Sequence, residues 1–216
     1  EHVDVLNLTP EQVAFLSQIP DPTFRENTRD FMVNRQFRQD YWVKGGRQLN
    51  GYEQTNALRA LRVILVAPRQ HIAMTVIGVT GEGNLDQAAY DPLFDLMADF
   101  QPHTIGELEH GLQGKVQDLG ALLQMLLVLA HKACVSLVQD DAAIALARPH
   151  TDKLNRHLLH QALGRNDIAA LASPVTGGGV GVLHLQQLFL LGRLQGHHGT
   201  PELAMFVWEA FQPLKQ

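Results

Sequence analysis

Cysteine is almost absent from this sequence, which has one, Cys134, among 216 residues. A single cysteine excludes an intrachain disulfide and is typical of a reducing compartment, so we expect a cytoplasmic location. Cys134 lies in an apolar run, where a thiol packs as a small hydrophobe and burial raises its pKa instead of activating it. We therefore predict a core cysteine and no cysteine nucleophile.

An excess of basic residues is also missing. Lysine and arginine number 17 against 22 aspartates and glutamates, which gives a formal net charge of −5. A chain of this charge has no general attraction for nucleic acid or for an anionic membrane surface. We expect neither of them as a partner.

Segments that target a chain to a membrane are lacking too. The first residues have neither the basic nor the apolar stretch of a signal peptide, and the start without methionine suggests a processed chain or an excised fragment. Residues 120–138 are nearly long enough to cross a bilayer, but Gln124, His131 and Lys132 interrupt them. We predict a buried helix that runs into a strand, and no membrane span.

The usual motifs of catalysis and cofactor binding are not found. A nucleotide-binding glycine loop follows a buried strand and has an acidic residue about 20 positions later. Residues 177–179 are three glycines, but they follow a proline-containing segment, and the next acidic residue is Glu202. There is no G-x-S-x-G motif, and His157 and His160 have no acidic neighbour of the H-E-x-x-H kind. We predict no catalytic, cofactor-binding or metal-binding residues in this chain.

Helix starts are the clearest signals present. Thr9 precedes a proline and is followed three residues later by Gln12, which is the pattern of a capping box. Similar starts are predicted at Asp91, Thr104 and Thr200. Four independent starts, together with 45% hydrophobic residues, favour a mainly α (α+β) globular fold.

Strands are fewer. Residues 61–67 and 72–79 are rich in β-branched residues, and the short connection between them predicts a small β-hairpin. The turn-forming residues 80–87 that follow, TGEGNLDQ, suggest a boundary. This places a helical domain with a small hairpin at residues 1–86.

The order of elements after this boundary resembles a winged helix. Helices are predicted over residues 91–100, 104–111 and 116–131, followed by a hairpin of residues 134–138 and 142–147. The third helix has no arginine and no internal lysine with which to read bases or phosphates, which favours a packing or interaction module over a DNA reader. We assign residues 87–149 to this winged-helix-like segment and residues 150–216 to a C-terminal helical segment that packs on it.

The stretch DFMVNRQFRQDYWV, residues 30–43, combines large apolar and basic side chains. Val33, Phe37 and Tyr41 are spaced four residues apart, so a helix would place them on one apolar stripe. Arg35 and Arg38 would lie on another stripe. We predict a helix here that anchors its apolar stripe in the core.

This stretch resembles the DFxxNRxFRQxLL signature of the regulatory domain in bacterial class I SAM-dependent methyltransferases, including the protein-lysine methyltransferase type. The matching residues are Asp30, Phe31, Asn34, Arg35, Phe37, Arg38 and Gln39. Tyr41 and Trp42 stand where the signature usually has leucines. The segments DKLNRHLLHQAL, ALASPVTGGGVGV and LQQLFLLGRL look like the C-terminal portion of the same proteins.

The resemblance implies a non-catalytic region that regulates a SAM-binding catalytic domain or presents a protein substrate to it. That catalytic domain is absent from this chain, so SAM is expected only in an upstream domain. Asn34, Arg35 and Arg38 would fix their helix to neighbouring elements or to the catalytic domain. Intradomain pairing of the arginines with carboxylates and backbone carbonyls is the alternative.

Two other functions stay open at this point. The helix order after residue 91 would also suit a free-standing winged-helix regulator of transcription or a protein-interaction module. The 11 histidines would allow a metal-dependent enzyme. The acidic composition of residues 139–145, where a DNA-binding wing would be basic, counts against a transcription regulator.

Overall fold

Helices predominate over short strands, which confirms the mainly helical α+β fold. The structure is a computed structural model and describes residues 4–38, 43–78 and 81–211. It divides into two compact units, Glu1–Ser136 and Leu137–Gln216, called here the first and second units. Within the described ranges, every helix is too short or too polar to cross a membrane.

The first unit begins with three helices: α1 (Asp4–Asn7), α2 (Pro10–Ser17) and α3 (Pro22–Met32). The capping box predicted at the start of α2 is confirmed, because Thr9 Oγ1 accepts the Gln12 N–H and Gln12 Oε1 accepts the Thr9 N–H. Asp21 caps α3 in a similar way by accepting the Phe24 N–H.

The next elements correct the predicted hairpin. They are α4 (Gly51–Ala60), β1 (Arg62–Leu65), a short 3₁₀ turn (Arg69–His71), β2 (Thr75–Gly78) and β3 (Gly81–Asn84). The predicted pairing of residues 61–67 with residues 72–79 is wrong, because β2 pairs with β3. The 3₁₀ turn and the buried Ile72 lie between β1 and β2, so the two strands are not joined by a tight hairpin turn. Val79 and Thr80 lie outside the described residues.

The rest of the first unit consists of α5 (Gln87–Leu96), β4 (His103–Thr104), α6 (Ile105–Gly111), α7 (Leu119–His131) and β5 (Val135–Leu137). β1 lies between β4 and β5 in one sheet. The helix start at Thr104 is confirmed by a capping box with Glu107. The start at Asp91 is wrong: Asp86 caps α5, which continues through Pro92 because burial of Tyr90 and Leu93 outweighs one lost backbone hydrogen bond.

The main core of the first unit lies among its sheet, α5, α6 and α7. Its buried members are Val63, Leu65, Ile72, Tyr90, Leu93, Phe94, Met97, Ile105, Leu108, Leu112, Leu122, Met125, Leu126, Leu129, Cys134 and Val135. Cys134 is buried as predicted, and desolvation raises the pKa of its thiol, with Lys132 acting in the opposite direction. A separate small cluster of Leu8, Leu16 and Ile19 holds the first three helices.

The second unit contains α8 (Asp141–Gln161), β6 (Ala170–Ser173), β7 (Gly178–Gly181), α9 (His184–Leu194) and α10 (Thr200–Phe211). The helix start at Thr200 is confirmed. α9 and α10 approach closely at Gly192, where a Cβ atom would lie 2.9 Å from the Phe206 ring.

The hairpin predicted over residues 134–147 is wrong in its second strand. Residues 142–147 belong to α8, because Asp140 and Asp141 open a helix there instead of a turn. β5 lies beside β1 in the sheet of the first unit. The winged-helix assignment and the division at residues 86 and 149 stay predictions, and α8 runs without a break through position 149.

Candidate functional site

The candidate site is the C-terminal end of α3, where the signature-like stretch lies. α3 ends at Met32, with Val33 as the C-cap, and Asn34 has a left-handed backbone with φ of 50°. The predicted helix over residues 30–43 is therefore wrong for residues 33–38, which follow the end of α3. A residue with a left-handed backbone conformation ends a helix because it turns the chain out of the helical hydrogen-bond pattern. Asparagine is one of the few residues other than glycine that tolerate this conformation.

Two backbone hydrogen bonds close the last turn. The Asn34 N–H donates to the Phe31 carbonyl at 3.2 Å, and the Arg35 N–H donates to the Asp30 carbonyl at 2.9 Å. This pair of bonds is a Schellman motif, the commonest way to satisfy the free carbonyls at a helix end. Asn34 therefore acts first as a helix-ending residue.

The side chains of the same residues reinforce this turn. Asp30 Oδ2 accepts a hydrogen bond from Arg38 Nη1 at 2.9 Å, and Asp30 Oδ1 lies 3.8 Å from Arg35 Nε. The three side chains are about a quarter to a third exposed, so each ion pair contributes at most about 1 kcal/mol. Both arginines also lie near the carbonyl end of α3, where positive charge is favoured. Intradomain pairing, the alternative to a contact with another domain, accounts for these observed contacts.

The apolar residues of the stretch divide into two groups. Val33 and Met32 pack against the small cluster of Leu8, Leu16 and Ile19, so the predicted anchoring of Val33 is confirmed. Phe37 is 89% exposed, so its predicted place in the core is wrong. The backbone turn at Asn34 takes residue 37 off the stripe that a continuous helix would have formed.

Gln39 is the last predicted site residue, and Tyr41 is the last residue of the predicted apolar stripe. Trp42 follows Tyr41 in the sequence. All three lie outside the described residues.

Two further arginines, which no motif in the sequence indicates, connect α3 to neighbouring residues. Arg25 Nε and Nη2 both donate to the Ile19 carbonyl, at 2.9 and 2.7 Å. Arg29 pairs with Asp4 Oδ2 at 2.9 Å and with Glu26 Oε2 at 2.6 Å. Their spacing of four residues on α3 was the available signal, since residues at i and i+4 share a helix face.

Asn34 gives a direct test of this helix end. Replacing Asn34 by Ala is expected to lower the free energy of unfolding by about 1 kcal/mol, because alanine is strained in a left-handed conformation. Asn34→Gly is the matched control and should stay within about 0.5 kcal/mol of the wild type. Urea denaturation measures both variants. Equal losses in the two would mean that the Asn34 side chain, and not its backbone conformation, is what stabilises the turn.

The second signature-like region builds a hairpin in the second unit. β6 and β7 pair from Ala170↔Gly181 to Ser173↔Gly178, and Gly177 occupies the turn with φ of 72°. Gly177 ends the turn of this hairpin between α8 and α9, where its positive φ favours glycine, and the next two glycines belong to β7.

Three polar side chains from the flanking helices hold this hairpin and the segment before it. Asn155 Nδ2 donates to the Ala172 carbonyl at 2.8 Å, and Asn155 Oδ1 accepts the Ala172 N–H at 2.7 Å. Gln187 is fully buried, and His184 Nε2 lies 2.8 Å from the Ala162 carbonyl. No spacing pattern in the sequence signals the contacts of Asn155 and His184, because their partners are backbone atoms 17 and 22 residues away.

The first unit also has a cleft of about 490 Å³ between the end of α4, α6 and the start of α7. Its charged residues are engaged in structural contacts. Arg59 donates to both carboxylate oxygens of Glu109, at 2.6 and 2.9 Å, and this holds the pKa of Glu109 below its usual value. Asp118 caps α7 by accepting the Ala121 N–H. The cleft pairs its carboxylates with structural donors and presents no nucleophile beside a base.

Residues 4–38, 43–78 and 81–211 contain histidine, aspartate and glutamate side chains and one cysteine. Within these ranges, no three histidine, cysteine, aspartate or glutamate side chains come close enough together to hold an ion. His103 Nε2 lies 2.9 Å from Asp99 Oδ1, which is a pair and not a cluster. The expectation of no metal site stays a prediction for the whole chain.

Comparison with known proteins connects the candidate site to a family. Residues 1–44 match the model of a family described as a predicted methyltransferase regulatory domain. An uncharacterized protein of Synechocystis sp. is 33% identical over 209 residues, which are 97% of this chain and 40% of that protein. The chain therefore spans less than half the length of this relative. No solved structure matches the chain.

Proposed function

We propose that this chain is a non-catalytic regulatory region of a SAM-dependent methyltransferase and that it acts on an adjacent catalytic domain. The observation that carries the proposal is the family match over residues 1–44, the segment whose helices and capped α3 terminus form the candidate site. The length of the relative, of which this chain spans 40%, leaves room for a catalytic domain elsewhere in such a protein.

The methyltransferase would be of the protein-lysine type, located in the cytoplasm, and the chain would help to present its protein substrate. SAM would bind to the catalytic domain. In this chain the glycine-rich residues 177–179 support that division, because they lie in the turn and second strand of a hairpin and do not open a helix toward a phosphate or a methyl donor.

Calorimetric titration tests this proposal directly. The chain is titrated with S-adenosylmethionine and, separately, with the catalytic segment of the same gene product. We expect no heat of binding with S-adenosylmethionine, saturable binding of the catalytic segment, and a change of at least about threefold in its methyl-transfer rate, which corresponds to about 0.7 kcal/mol. One-to-one binding of S-adenosylmethionine would overturn the non-catalytic assignment. An unchanged rate without binding of the catalytic segment would overturn the regulatory one.

A further inference from the structure

Two phenylalanines at the end of α3 are far more exposed than aromatic residues usually are. Phe31 is 88% exposed and Phe37 is 89% exposed, the two highest values among the large apolar side chains that the structure describes. They lie on either side of Asn34, three residues before it and three after it. Single exposed apolar residues are common on protein surfaces, but two exposed aromatic residues six positions apart at one helix end offer a partner more apolar surface than a single one does.

The rest of the signature-like stretch already has a structural role. Asp30 accepts from Arg38 and lies beside Arg35, and Asn34 provides the left-handed turn of the Schellman motif. These contacts all lie within residues 30–38 and hold the backbone on both sides of the turn. The same residues therefore hold the backbone that carries the two rings, so little backbone entropy would be lost when the rings bind a partner.

The size of the aromatic pair suits the centre of a protein interface. A buried phenylalanine covers about 150–250 Å², so two rings offer roughly 300–500 Å². A standard interface buries about 800 Å² on each partner, with aromatic residues concentrated at its core. Phe31 and Phe37 would thus supply about half of this side of an interface.

The charge around the pair indicates the character of the partner. Residues 30–38, which carry both rings, contain two arginines and one aspartate, a net charge of +1 in a chain whose total is −5. An interface whose basic rim surrounds an apolar centre is complemented by an apolar surface with an acidic rim. The family match places a methyltransferase regulatory domain over the same segment.

We infer that Phe31 and Phe37 are the docking surface of this chain for the methyltransferase catalytic domain, and that they insert into an apolar patch rimmed by acidic residues on that domain. The inference rests on the proposed function and names its contact surface. The arginines and Asn34 act as positioning residues, because they hold the backbone that carries the two rings. The phenylalanines make the contact with the partner.

Hydrogen–deuterium exchange on the complete gene product tests this surface. We expect the amides of residues 31–38 to exchange at least about tenfold more slowly in the complete gene product than in the 216-residue chain. The double variant Phe31→Ser/Phe37→Ser should remove this difference and change the methyl-transfer rate. In the 216-residue chain the same variant should exchange like the wild type, because both side chains are already exposed.

A matched control removes equally exposed apolar side chains elsewhere. Ile77 and Leu146 are 78% and 76% exposed, so Ile77→Ser/Leu146→Ser loses similar apolar surface outside the candidate site. This control should keep the slow exchange over residues 31–38. Equal loss in both double variants would overturn the docking surface, because it would show a general effect of surface polarity.

The remaining outcomes identify other occupants or overturn the proposed function itself. Slow exchange that depends on protein concentration would assign the rings to a second copy of the chain, and slow exchange only with phosphatidylglycerol vesicles would assign them to a membrane. If residues 31–38 exchange at the same rate in both proteins while the chain still binds the catalytic segment, the docking surface is wrong and the proposed function stands. If that binding is also absent, both are wrong.

Discussion

Replacing Gln187 by Ala is expected to lower the free energy of unfolding of the second unit by about 2–4 kcal/mol. Gln187 Nε2 donates to the Ile168 carbonyl at 2.7 Å and to the Val182 carbonyl at 2.8 Å. These carbonyls lie at the open end of the β6–β7 hairpin and are partly buried, and each one left without a donor costs about 1–3 kcal/mol. The truncation also leaves a cavity in a fully buried position.

The neighbouring Gln186 provides a matched control. Its side chain accepts the Leu183 N–H at 3.0 Å at the exposed start of α9, so Gln186→Ala should cost no more than about 1 kcal/mol. Gln187→Glu should be at least as harmful as the alanine variant, because a carboxylate has no hydrogen to donate to the two carbonyls. Guanidinium denaturation, followed by the fluorescence of Trp208 in the second unit, measures all three. Similar costs at positions 186 and 187 would show that the buried amide does not hold the hairpin.

This contact also shows which part of the structure a single sequence can predict. The helix starts at Thr9 and Thr104 were predictable, because a capping box is formed by residues three apart and its hydrogen bonds involve no distant partner. Gln187 is different. Its two acceptors are backbone atoms 19 and 5 residues away, and nothing in the composition around it distinguishes it from Gln186.

Strand pairing was missed for the same physical reason. Val63 in β1 pairs with His103 in β4, forty residues later, whereas the hairpin prediction assumed that strands close in sequence are partners. The residues of β3, GEGN, are exposed and poor in β-branched side chains. Their pairing with β2, from Gly78↔Gly81 to Thr75↔Asn84, is therefore not predictable from strand propensity.

The candidate site was predictable in its residues and not in its geometry. Asp30 contacts Arg35 and Arg38, which is the intradomain pairing that the sequence left open as the alternative. The prediction from apolar periodicity extended the helix too far, because periodicity contains no information on backbone conformation. Asn34, a residue type that readily adopts a left-handed conformation, was the signal that could have ended the helix at Met32. The exposure of Phe37 follows from that one turn.

The N-terminal helices depend on a very small core, and this makes them the most sensitive part of the candidate site. Leu8, Leu16 and Ile19 are the buried members of the cluster that holds α1, α2 and α3. Leu16→Ala should therefore lower the free energy of opening of these helices by about 2–4 kcal/mol, with few neighbours able to fill the space. Phe15 precedes Leu16 but is 51% exposed, so Phe15→Ala should change the free energy of opening by less than about 0.5 kcal/mol.

Native-state hydrogen exchange distinguishes a local effect from a global one. In Leu16→Ala, amides of α2 and α3 should exchange about 30- to 1,000-fold faster, which corresponds to the expected 2–4 kcal/mol. Amides of α7 should be little affected, because the buried side chains of α7 belong to the separate main core. Equal acceleration in α3 and α7 would mean that the first unit opens as a whole. Acceleration confined to α2 and α3 would also loosen the Schellman turn that presents Phe31 and Phe37, so the variant should weaken docking without removing either ring.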